Sequence, residues 1–137
     1  MSKEQNMAAL QLQGEAVHSG QLEKLRDVFA PDVVDHDPAP DQAKGPDGFI
    51  HFFTGLRTAF PDVAVAVDYV VADDDNVAMA YTITGTHNGP LGNIPPTGEK
   101  IKARGMQIAR FRNGKIVERW GSSDELGILK QIGAIKE

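Results

Sequence analysis

Apolar positions recur at helical spacing through the first 60 residues and alternate with polar ones after that. Residues 4–18 are predicted to form a helix, with Ala8, Ala9, Leu12 and Ala16 on one side and Ser19-Gly20 breaking it. Leu22, Leu25, Val28 and Phe29 predict a second helix, which Pro31 ends because a residue before proline is pushed out of the helical region. Asp32–Asp37 is a short extended piece, and Pro38, Pro40 and Gly45 mark a loop. A third helix is expected from Pro46, a residue suited to a first turn. Its apolar stripe is Phe49, Ile50, Phe53, Leu56 and Phe60, and Pro61 stops it.

The period then changes to two. Val63, Val65, Val67, Tyr69 and Val71 alternate with smaller or polar residues, and so do Val77, Met79, Tyr81 and Ile83 after an acidic turn at Asp73–Asn76. The segment His87–Gly98, rich in Gly and Pro, is long for a hairpin loop. With Leu91 and Ile94 as apolar tips it is expected to cover the mouth of a cavity. Two further strands flank Asn113-Gly114, the strongest short hairpin signal, since a type I′ turn needs positive φ at both central residues. Counting outward from that turn, Phe111 should face Ile116, Ala109 Glu118, Gln107 Trp120, Gly105 Ser122 and Ala103 Asp124. One face would then carry Gln107, Phe111, Ile116, Glu118, Trp120, Ser122 and Asp124. The other would carry Met106, Ile108, Arg110, Val117 and Arg119. Small residues at 103, 105 and 109 make the first face read as a pocket wall. Residues 125–135 close the chain as a short helix carrying Leu126, Leu129 and Ile132.

Helices first and then a run of strands predict an α+β fold, one domain over residues 1–137. The expected form is a strongly curved antiparallel sheet with the N-terminal helices on its concave face. A chain of 137 residues can bury one core. Its net charge of −5 disfavours nucleic acid and anionic membranes, and the lack of cysteine excludes thiolate chemistry and disulfides. No run approaches about 18 apolar residues and the first ten residues lack a signal core, so a cytoplasmic location is expected. Met106, Ile108 and Val117, flanked by Arg110 and Arg119, would leave an apolar outer face for a second copy to bury.

Several stretches together resemble the SnoaL-like polyketide cyclases, also called ester cyclases, in the superfamily of nuclear transport factor two and ketosteroid isomerase. They are DHDP at 35–38, GTHNGPLGNIPPTGEKI at 85–101, RFRNGKIVERW at 110–120 and SSDELGILKQIG at 122–133. The resemblance implies a cone with a deep apolar cavity, a homodimer or tetramer through the outer sheet face, and a small hydrophobic molecule as partner. It implies intramolecular aldol ring closure by an aspartate, with no metal or organic cofactor. By its place four residues after the tryptophan, that aspartate matches Asp124; the glutamine of the preceding strand matches Gln107, and His36 is similar in place to a polar residue after the second helix. The histidine expected two residues beyond the glutamine is Ala109 here.

Each candidate has an ordinary reading as well. Ser122-x-x-Glu125 is a capping-box pattern, so Asp124 could start the last helix; in an apolar cavity it would instead carry a proton. Gln107 could hold a carbonyl or enolate oxygen, or be a sheet amide satisfied by a neighbour. His36, between Asp35 and Asp37, points away from both carboxylates in an extended strand, which argues against a metal cluster. His87 could anchor the loop or act on substrate. Trp120, Phe53, Tyr81, Met79, His87, Leu91 and Ile94 are the expected lining. Other chemistries stay open: epoxide opening or water loss by pocket carboxylates, or a non-catalytic ligand-binding or dimerisation module.

Overall fold

The computed structural model describes residues 3–135. Helix α1 spans Lys3–Ser19, and a 3-10 helix spans Leu22–Asp27. Strand β1 (Phe29–Asp35) precedes helix α2 (Pro46–Ala59). Strands β2 (Ala64–Ala72), β3 (Asn76–Thr86), β4 (Lys100–Arg112) and β5 (Lys115–Ser123) follow, and helix α3 (Glu125–Gln131) ends the fold. The five strands form one sheet in the order β1-β5-β4-β3-β2.

The α+β class follows the sequence pattern, with three differences. The second helix is only a 3-10 turn, and Val28 and Phe29 leave it for the start of β1. Pro31 is therefore inside a strand; β1 is an edge strand, where a missing N–H is tolerated. The sheet is mixed, because β1 runs parallel to β5 while the other neighbours are antiparallel. The closing helix stops at Gln131.

All helices pack on one face of the sheet. Ala16, Leu25, Val28, Phe49 and Phe29 meet Val77, Ala109, Phe111 and Ile116 in one cluster. The Phe29 and Phe49 rings stack there at 4.0 Å. Toward the other end of the sheet, Val17, Ala59, Phe60, Ile128 and Ile132 meet Tyr81, Ile83, Ile101 and Ala103. The alternation is clean along β4: odd positions from Ile101 to Phe111 are buried, and the even ones from Lys102 to Ile108 are exposed.

The hairpin register departs from the count made outward from the turn. Asn113 and Gly114 take the positive φ values the turn needs, 54° and 78°. Arg112 pairs with Lys115 and Phe111 with Ile116, as expected. The register then slips. Arg110 pairs with Glu118, Ala109 with Arg119, Ile108 with Trp120 and Gln107 with Gly121. Val117 is the extra residue of a β-bulge, and both it and Ile116 are buried. A slip of one residue turns every later side chain to the other face. Arg119 is thus brought to the covered face, and Glu118 and Trp120 to the open one. Met106 and Ile108 are exposed as expected, but Val117 is not; Tyr69 and Val71 extend the open apolar face instead.

Ile116 is fully buried beside the bulge, against β1 and β4. Ile116→Ala is expected to cost about 2–5 kcal/mol, the usual range for truncating a packed aliphatic side chain, measured by urea denaturation.

Candidate functional site

The covered face holds a chain of polar side chains. Gln107 projects from β4 and is only 6% exposed. Its Oε1 accepts a hydrogen bond from Arg119 Nε at 3.1 Å. Arg119 reaches it from β5 because of the bulge, and its Nη1 donates to Asp35 of β1 at 3.2 Å. That carboxylate also accepts from the Asp37 backbone N–H at 3.0 Å and from Gln42 Nε2 at 3.1 Å. The Asp35 and Arg119 side chains are 7% and 18% exposed, so solvent screens this ion pair little.

Gln107 Nε2 is buried and has no hydrogen-bond partner. An arginine nitrogen can only donate, so the amide atom that Arg119 touches is the oxygen and the opposite atom is the NH₂. The buried free end of the Gln107 side chain is therefore a donor. Tyr81 stands diagonally across from it, on β3, where Met79 pairs with Gln107 and Tyr81 with Gly105. A Cβ at Gly105 would collide with the Tyr81 phenol. Burial pushes the Tyr81 phenol up from its ordinary value of 10, while the Arg119 charge pulls the other way. The phenol therefore stays protonated at neutral pH, and its hydroxyl makes no hydrogen bond to a described residue. Each of these groups, on adjacent strands, is of a kind that can donate to a carbonyl oxygen or to the negative charge that develops on it.

Asp124 is elsewhere. It is exposed at the N-cap of α3, and its Oδ1 accepts the Gly127 N–H at 2.9 Å. It does not share a wall with Trp120, and Trp120 does not face Gln107. Trp120 lies on the open face, stacked on His36 at 4.6 Å. His36 Nε2 lies 3.0 Å from Glu118 Oε2. Arg110 donates to the other oxygen of Glu118, and with His36 it holds that carboxyl below its ordinary value of 4.5. The bulge moved Trp120 and Glu118 to this face. His36 joins them because β1 continues along β5, where Asp35 pairs with Arg119 and turns inward.

The remaining lining candidates divide. Met79 and Tyr81 lie on the covered face, and Phe53 of α2 packs against both core clusters. Leu91 joins Gln42, Leu56, Phe52 and Pro90 around a cleft of about 420 Å³ between α2 and the loop 88–99. Leu91 and Ile94 pair with each other within that loop. Its base is pinned. His87 is fully buried, its Nδ1 accepts the Thr97 N–H at 3.3 Å, and Gly98 N–H donates to the His87 carbonyl at 2.8 Å. His87 Nε2 has no partner. Gln42 lines the cleft and also holds Asp35, so it separates the cleft from the polar chain inside.

Asp35, Arg119 and Gln42 were not candidates in the sequence. Asp35 had a signal, since period two sets it opposite His36. Arg119 had none, because its inward direction depends on an extra residue that the turn does not reveal. Among the described residues no group of three or more His, Asp or Glu is arranged to hold a metal ion. Among the described residues no helix is long and apolar enough to cross a membrane.

The family profile described as SnoaL-like polyketide cyclase matches residues 8–132. The aklanonic acid methyl ester cyclase DauD of Streptomyces sp. (strain C5) is 27% identical over 112 residues, 80% of this chain and 66% of that protein. The nogalonic acid methyl ester cyclase of Streptomyces nogalater is 25% identical over 122 residues, 86% of this chain and 90% of that one. Among solved structures, IdmH of Streptomyces antibioticus superposes with a TM-score of 0.81 at 32% identity, covering 93% of this chain and 98% of its own. TsrD of Streptomyces laurentii gives 0.89 at 21% identity, covering 98% and 99%, a likeness of fold alone. By its sequence profile over nearly the whole chain, this protein belongs to the SnoaL-like polyketide cyclase family.

Proposed function

We propose that the protein is a cofactor-independent enzyme of the cyclase or isomerase type, acting on a bulky hydrophobic carbonyl compound. The observation that carries this is the Gln107 NH₂, buried, oriented by Arg119 and without a partner. An unsatisfied buried donor costs about 1–3 kcal/mol, and an acceptor that reaches it removes that cost. In this reading the Tyr81 hydroxyl, which lies over Gly105 on the same face, is the second donor to the carbonyl oxygen that Gln107 holds. In a cyclisation, a base takes the proton from a carbon α to the held carbonyl. The enolate charge passes to that oxygen. The carbon then attacks a second carbonyl of the same molecule, and the resulting alkoxide takes up a proton. The relatives' names, ester cyclases of aklanonic and nogalonic acid, supply the compounds to try first: the methyl esters of those two acids.

A second reading, a ligand-binding protein without proton transfer, is favoured by the exposed, capping position of Asp124. One pair of variants separates the two. Asn caps a helix about as well as Asp, whereas Ala costs about 1 kcal/mol. Thermal melts should show Asp124→Asn close to the parent and Asp124→Ala destabilised by that amount. On a substrate the parent converts, a proton-carrying Asp124 requires Asp124→Asn to lose roughly 10²-fold or more in turnover. Unchanged turnover would confine Asp124 to the cap. Gln107→Leu removes the donor while filling similar space. It should lower kcat/KM by about 10²-fold, the scale of losing one oxyanion donor. Parent-like kinetics for this variant would sink that role for Gln107.

We also propose that a second copy covers the open sheet face. Met106 and Ile108 of β4 and Tyr69 and Val71 of β2 are exposed there, with Ala78 and Ala80 of β3 between them and the His36–Trp120 stack at one side. Contiguous apolar surface of this kind marks an interaction site. Light scattering at micromolar concentration should give a dimer or tetramer, and Ile108→Lys should shift it toward monomer. A monomeric parent would refute the assembly.

A further inference from the structure

The role of Gln107 depends on which way its amide points, and the structure shows what decides it. The two ends of the Gln107 side chain are a donor and an acceptor of nearly equal size, and an amide free to turn would offer either one to a ligand. Here it is not free. Arg119 Nε donates to Oε1 at 3.1 Å, and the same guanidinium is tied to Asp35 at 3.2 and 3.5 Å. Asp35 is tied in turn by the Asp37 N–H and by Gln42. Each link runs one way, since a guanidinium only donates and its carboxylate partner accepts. Gly121 is part of the same device. It lies opposite Gln107 on β5, and a Cβ there would collide with the Arg119 guanidinium. Only a residue without a side chain lets Arg119 lie along the strand toward Gln107.

We propose that Arg119 is a positioning residue that locks the Gln107 amide with its NH₂ toward the interior. The wall then selects ligands presenting a hydrogen-bond acceptor over ligands of the same shape without one. Arg119 does not touch the ligand in this scheme. The proposal rests on the reading of Gln107 as the carbonyl-binding group. It adds that the specificity is set from β5, through Gly121, rather than by the amide alone. Gln107 Nε2 is closed to water as the chain stands, so a ligand must displace a neighbour to reach it. Met79 pairs directly across from Gln107 and has the flexible side chain to yield.

The test uses the full chain and two flat tricyclic probes, 9-fluorenone and fluorene, which differ in a carbonyl oxygen against a methylene. Calorimetric or NMR titration should show the parent preferring fluorenone by about tenfold, the equivalent of one net hydrogen bond. Gln107→Leu should abolish the preference. Two variants address Arg119 without removing the amide. Gly121→Ala pushes the guanidinium aside at the far end of a flexible side chain. Arg119→Lys keeps a positive charge beside Asp35 but loses the Nε donor. In both, the preference should fall to about twofold or less while fluorene binds as it does to the parent. A loss through general damage would weaken both probes together. A ligand-free readout covers a variant that binds poorly. The side-chain NH₂ signals of Gln107, assigned by their loss in Gln107→Leu, should shift in both variants while the backbone spectrum keeps its dispersion. If Gly121→Ala and Arg119→Lys keep the full tenfold preference and an unshifted amide, Arg119 does not position Gln107. If the parent shows no preference, or Gln107→Leu retains it, the reading of Gln107 itself fails, and the proposal with it.

Discussion

One extra residue in one strand sets the chemistry of the covered face. Without Val117 as a bulge, the hairpin would carry Glu118 and Trp120 inward and Arg119 outward. With it, a guanidinium enters a face otherwise built from Phe111, Ala109, Ile116 and Val77. A buried charge there demands an opposite charge and further hydrogen bonds. Both are present: Asp35 on the parallel neighbour strand, and the Gln107 carbonyl across the hairpin. β1 is joined to the sheet through β5, so the same ion pair also marks where the edge strand meets the hairpin.

The fold was largely legible in the sequence because most of its signals are local. The Phe-rich stripe after Pro46, the alternation after Val63 and the Asn113-Gly114 turn each draw on a few neighbouring residues, and each formed the expected element. What was not legible depends on contacts between elements. Val28 and Phe29 continue a helical spacing, yet they extend as β1 because Phe29 stacks on Phe49 and pairs beside Ile116. The parallel pairing of β1 with β5 joins residues more than 80 positions apart, such as Asp35 and Arg119, and nothing near either residue announces it. The bulge is invisible for a related reason. Ile116 and Val117 are both apolar, so either could be the inward one, and packing uses both.

The candidate site was legible in part. Gln107 was placed on the correct face, since β4 holds an unbroken alternation and its direction follows from Phe111. Trp120 and Glu118 were misplaced by the single slip. For His36, position alone gave no direction; its ring lies flat on Trp120 and its Nε2 on Glu118, a contact set assembled from two strands. For Asp124 a helix-start role was legible, but not through the Ser122-x-x-Glu125 box: Asp124 itself is the N-cap and accepts the Gly127 N–H, with Glu125 the first residue of the helix.

The small residues of the hairpin invite a last step. Gly105, with Ala103 and Ala109, read in the sequence as space left for a ligand, and Gly121 carried no such reading. In the structure each glycine makes room for the chain's own polar side chain, the Tyr81 phenol at Gly105 and the Arg119 guanidinium at Gly121. The wall is not a smooth apolar surface with a hole in it. It is a packed layer in which glycines let long polar groups lie flat and present selected atoms inward. Such an arrangement carries a standing cost, a buried amide donor with nothing to bond. Stability alone would favour an apolar residue at 107, among neighbours such as Ala103 and Ala109 that are apolar already. An oriented donor held at that cost, anchored through two further strands, is better accounted for by what it can bind than by what it adds to the fold.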